Sequence, residues 1–178
     1  MEKRNGRKAQ VWVETVIYTL IALTIIGLFL SFAKPKIEEI QDKSTIEQSV
    51  SMLESIDSII LNIVQGGPGN QRVIEIGLQK GSLDVSSTND QIVYGLTGRY
   101  GYTEPGIYVN IGKLVAITEK EGSLSRVRLI SNYSNVYNIT YNGVKQEKII
   151  PKSPVPYRLS ISNKGTIGNT TNIDFLIV

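Results

Sequence analysis

Between Val11 and Ala33 the chain runs for 23 residues with one formal charge, Glu14, close to the start. As a helix this run rises about 34 Å, against about 30 Å for the hydrocarbon core of a bilayer. Such a segment has three fates: removal as a signal, use as an anchor, or burial against copies of itself. Ahead of it stand Glu2, Lys3, Arg4, Arg7 and Lys8, a local charge of +3. Cations on this side predict a cytoplasmic N-terminus and an exported chain beyond Ala33; Lys34 and Lys36 on the far side are outnumbered. An ordinary secretory signal, cut after Ser31-Phe32-Ala33, fits less well. Its apolar region is typically 7–15 residues, and it has no use for a carboxylate just inside the membrane.

The same nine residues account for the whole net charge. The chain totals +3, and from Gln10 onward it has 15 basic and 15 acidic residues. A basic pI is therefore not a polyanion-binding surface, and nucleic acid is not expected as the primary partner. There is no cysteine and no histidine, which excludes thiol nucleophiles, disulfides, the usual zinc sites and imidazole acid–base catalysis. The carboxylates Glu75, Asp84, Asp90, Glu104, Glu119, Glu121, Glu147 and Asp174 lack metal-ligand spacing and read as solvated charges. Gly66-Gly67-Pro68-Gly69 follows a helix instead of opening one, so it lacks the context of a phosphate loop. No enzyme, cofactor or metal is expected.

Beyond Ala33, Lys34-Pro35-Lys36 predicts a kink near residue 35, since proline removes a backbone donor and restricts its predecessor. Ile37, Ile40, Ile46, Val50, Leu53, Ile56, Ile60 and Ile63 then recur at three- and four-residue spacings, with one longer gap after Ile40. Glu38, Glu39, Gln41, Asp42, Lys43, Glu47, Gln48, Glu54 and Asp57 fill the intervening positions and read as the polar face of an amphipathic helix. One long helix over 10–64 is predicted, membrane-like to residue 33 and amphipathic after it, ending at the 66–69 glycine cluster. From Gln71 the period changes to two, giving seven or eight strands, with Asn142-Gly143 as the strongest hairpin signal. The predicted fold class is α+β: the long helix, then an antiparallel β-rich head over 65–178 that covers the apolar stripe.

The Lys8-Ala9-Gln10 junction, with Glu14 fifth counting from Gln10, resembles the class III signal peptide of archaeal type IV pilins. The resemblance covers the first 33 residues in detail. It implies that a prepilin peptidase removes the 1–9 leader between Ala9 and Gln10, and that assembly machinery draws the subunit from the membrane. It further implies a homopolymeric cell-surface filament, with Val11–Ala33 helices in its core, and an adhesive role. An archaellin, the swimming-filament subunit, is the near alternative, and an uncleaved membrane-anchored binding module the distant one. The physics of Glu14 allows two readings. In an axially staggered bundle it approaches the freed amine of a neighbour's Gln10 and sets the register; alone, it sits at headgroup level near a helix N-terminus.

Three Asn-x-Ser/Thr sequons begin at Asn132, Asn138 and Asn169, and an exported head would make each a candidate N-glycosylation site. The pilin resemblance implies use of at least one. The tyrosines of the head lie mainly in strand-like runs and are expected to pack in the core and across strands.

Overall fold

The computed structural model describes residues 5–178, with side chains from Gln10 onward. Of the leader expected over 1–9, residues 1–4 and the side chain of Ala9 lie outside the described residues. The fold is α+β: one helix, α1 (Asn5–Gln65), and ten strands. They are β1 (Gln71–Ile76), β2 (Ser82–Ser86), β3 (Gln91–Gly98), β4 (Tyr108–Ile111), β5 (Leu114–Glu121), β6 (Leu124–Asn132), β7 (Tyr137–Tyr141), β8 (Lys148–Pro151), β9 (Tyr157–Ile167) and β10 (Thr170–Ile177). Two compact units divide between Glu39 and Ile40. The first is helix alone, and the second is the rest of α1 with all ten strands.

The helix carries Pro35 inside an unbroken span, so the proline does not interrupt it. Proline removes one bond and crowds one carbonyl at a cost of about 3 kcal/mol, which a helix of 61 residues can absorb. The stop is where the glycines predict it. Gly66 and Gly67 donate their N–H groups to Asn62 and Val64 at 3.0 and 3.1 Å. Gly67 has φ +84°, the left-handed exit that a helix C-terminus favours.

The strands form two sheets, of order β1-β9-β10-β7 and β4-β5-β6-β3-β2-β8. Pairing is antiparallel except between β7 and β10, which run parallel. Ten strands replace the seven or eight expected, for two local reasons. The run 107–118 folds back at Gly112-Lys113 to make β4 and β5. Strand β2, Ser-Leu-Asp-Val-Ser, alternates correctly but has only two apolar residues.

The expected Asn142-Gly143 hairpin needs correction. The turn is there: Asn142 and Gly143 have φ +53° and +76°, and Tyr141 and Val144 exchange bonds of 3.0 and 3.3 Å. Positive φ at both central residues is the demand of a type I′ turn. Yet pairing stops at that one bridge. Strand β7 joins the smaller sheet and β8 becomes an edge of the larger one, so the turn passes the chain from sheet to sheet.

One core unites the second unit. Ile46, Val50, Leu53, Ile56, Ile60 and Ile63 of α1 are buried with Leu83, Ile92, Tyr94, Leu129, Leu159 and Phe175 of the two sheets. Each large apolar side chain so buried contributes about 1.5–3 kcal/mol. Ile37 and Ile40, at 53% and 60% exposure, are the stripe positions left outside. Asp42 departs further from expectation, because it is buried at 4% exposure. It accepts hydrogen bonds from the Lys80 ammonium and the Arg99 backbone N–H, both at 2.8 Å, and its carboxylate fills the space a side chain at position 98 would take.

Candidate assembly site

The apolar half of α1 presents an unusual surface. Fifteen large apolar side chains between Val11 and Phe32 are exposed, on every side of the helix. At about 1.5–3 kcal/mol each, leaving them in water would cost about 20–45 kcal/mol, more than the 5–15 kcal/mol that holds an ordinary domain together. The segment is long and apolar enough to cross a membrane. Its polar atoms suit that environment. The hydroxyls of Thr15, Thr19 and Thr24 donate to the carbonyls four residues back, at 2.7–2.9 Å, and Ser31 donates to Leu28 at 2.6 Å. A hydroxyl satisfied by its own helix needs nothing from lipid.

Glu14 is the exception. The helix passes through the Ala9-Gln10 junction without interruption, placing Gln10 and Glu14 one turn apart on one face. The Gln10 side-chain amide donates to Glu14 Oε1 at 3.2 Å. A neutral amide offsets only part of the cost of a carboxylate in apolar surroundings, where ions are otherwise found paired.

In the head, several carboxylates expected to be solvated are built into the structure. Asp174 is buried at 6% exposure. Its Oδ1 accepts from the Thr140 hydroxyl at 2.8 Å and the Gly143 N–H at 2.7 Å, which ties β10 to β7 and to the turn that leaves it. Asp90 accepts from the Ile139 N–H at 2.7 Å and from Lys145 at 2.6 Å. Both partners come from distant chain segments, so nothing local in the sequence marks these sites.

Asp84 and Glu147 form a pair with opposite titration. Burial first, then the negative charge of Glu147, raises the Asp84 carboxyl above the usual range, and its Oδ1 has no hydrogen-bond partner. Hydrogen bonding from Thr88, joined by Ser86, holds Glu147 below that range despite some desolvation. A raised folded-state pKa makes ionisation cost stability at neutral pH, and that cost vanishes as pH falls below the folded value. Glu147 works the other way, since its stabilisation is present above the unfolded pKa and lost as pH falls through the folded one. Asp84→Asn is therefore expected to raise Tm at pH 7 by about 1–2 °C, with the gain disappearing in acid. Thermal melts of both proteins across the acid range check this.

The three sequons meet different surroundings. Asn132 is exposed at the end of β6, and its Oδ1 accepts the Ser134 N–H at 3.0 Å. Asn169 is exposed in the turn between β9 and β10. Asn138 lies within β7, where its Nδ2 donates to Asn172 Oδ1 at 3.1 Å, while the Thr140 hydroxyl of that sequon is buried against Asp174. Tyr94 and Tyr133 are core residues; Tyr94 donates to the Lys80 carbonyl at 2.8 Å, and burial raises its pKa. Tyr108 is 64% exposed on edge strand β4.

No known protein family, characterised protein or solved structure matches this chain.

Proposed function

We propose that this protein is a structural subunit of a surface filament of the archaeal type IV pilus kind, and not an enzyme. The observation that carries the reading is the first unit of α1, apolar on all sides with one carboxylate a single turn from Gln10. A prepilin peptidase cuts between Ala9 and Gln10, and the membrane holds the subunit before assembly. Apolar helices leaving lipid must be buried again, and copies of the same helix are what can bury them. The freed amine of Gln10 supplies the cation that Glu14 lacks, from a neighbour offset along the axis. The β-rich heads coat the filament, and repeated display gives adhesion without a strong single site.

N-terminal sequencing of the protein recovered from cell surfaces tests the proposal. Gln10 as first residue supports it. Lys34 identifies a secreted β domain, and Met1 an uncleaved anchor; either result overturns it.

A further inference from the structure

An asparagine followed by glycine is chemically labile, because no Cβ keeps the glycine nitrogen away from the asparagine side chain. Asn142 and Gly143 are such a pair, and both are exposed in the turn after β7, so water reaches them. In the reaction a bond forms between Gly143 N and Asn142 Cγ, and the bond from Cγ to Nδ2 breaks. Nδ2 leaves as ammonia with the proton that Gly143 gives up. Water then opens the cyclic imide on one side of its nitrogen or the other. One product is aspartate; the other is isoaspartate, whose backbone runs through an extra methylene. The turn holds the reacting groups tightly. The Gly143 N–H donates to Asp174 Oδ1 at 2.7 Å, the Asn142 N–H donates to the Phe175 carbonyl at 2.9 Å, and Tyr141 and Val144 bond each other across them. Asp174 is itself fixed, buried at 6% exposure and bonded by the Thr140 hydroxyl at 2.8 Å.

We propose that Asn142 is a deamidation site that Asp174 keeps closed while the head is folded. The inference is independent of the filament reading and needs only the fold of the head. Attack requires Gly143 N to lose its proton, which leaves negative charge on that nitrogen. A carboxylate at 2.7 Å opposes a second negative charge beside it, and it is far too weak a base to take an amide proton itself. Ring closure also requires rotation about the Asn142 Cα–C bond to bring Cγ onto Gly143 N. That rotation turns the Gly143 N–H away from Asp174 and undoes the positive-φ turn. The turn must therefore open before the reaction can run. Opening it has a structural consequence, because this is the turn that carries the chain from one sheet to the other. An isoaspartate at 142 lengthens the backbone there, and the one bridge between Tyr141 and Val144 cannot keep its register.

Peptide mapping by mass spectrometry, after the full chain is incubated in detergent at mildly alkaline pH, supplies the first test. Conversion at Asn142 is expected to be at least about tenfold slower in the folded chain than in its own digest peptide under the same conditions. Comparable rates overturn the proposal. Two variants then separate Asp174 from general loosening of the head. Asp174→Ala removes the acceptor and is expected to bring conversion at Asn142 close to the rate of the peptide. Thr140→Val disturbs the same buried network but leaves the Gly143 bond in place, and is expected to keep Asn142 intact. No acceleration in Asp174→Ala, or equal acceleration in both, overturns the role of Asp174. Thermal melts establish that each variant is folded during the incubation. If Asp174→Ala is not, hydrogen exchange in the natural chain decides: a slow Gly143 amide supports the clamp, and a fast one overturns it.

Discussion

Subunits carrying Glu14→Ala are expected to enter the membrane in normal amounts and to yield no recoverable filaments. The apolar surface of the helix is unchanged by this substitution, so the general drive to bury it remains. On the proposed reading, what disappears is the partner for the amine that cleavage before Gln10 would create. Removing one member of a buried ion pair costs about 3–5 kcal/mol, because the other charge stays buried and uncompensated. At 1.4 kcal/mol per decade, that loss lowers subunit docking by about two to three and a half orders of magnitude, enough to stop polymer growth. Glu14→Gln is the informative companion. It keeps the shape and the capacity to bond the Gln10 side chain but lacks the charge, so it is expected to fail as well. Immunoblots of the membrane and sheared-surface fractions read both variants. Normal filaments from either one remove the register role of the carboxylate.

The second large effect concerns the head and is independent of assembly. Asp42→Ala is expected to destabilise it by about 2–3 kcal/mol, lowering Tm by about 6–10 °C. The Lys80 side chain is 38% exposed, so its ammonium can return to water at little cost. The Arg99 N–H cannot do so as readily, and its lost acceptor carries most of the effect. Gly98 offers a cross-check. A Cβ at that position collides with the Asp42 carboxylate, so Gly98→Ala is expected to be harmful in the natural chain and nearly neutral once Asp42 is Ala. Thermal melts of the two single variants and the double variant measure this coupling. Additive losses would show that the carboxylate is not the group Gly98 makes room for.

Asp42 also shows where sequence reasoning fell short. Its charge points to the polar face, yet it stands four residues before Ile46, on the stripe itself. The longer gap after Ile40 is where it fits. A helix face passes through both positions whatever the side-chain chemistry, so the spacing contained the signal and the residue type hid it. Asp174 and Asp90 gave no comparable clue. Their partners are backbone and side-chain groups 31–55 residues away in sequence, and only the pairing of β7 with β10 and the path of the turns bring them close.

The sequence by itself determined the one long helix, its apolar and amphipathic parts, its stop at the glycine cluster and the α+β class. These follow from local periodicity, helix length and backbone chemistry, which act over a few residues at a time. The single carboxylate near the start of the apolar run was equally legible, because a charge in such a run stands out without any fold. Tertiary structure alone decided that the Asn142-Gly143 turn hands the chain from one sheet to the other and that Asp42 is buried. Those outcomes depend on which distant strands pair. Strand pairing is a competition among similar alternating segments, settled by the shared core they bury together and not by any one of them.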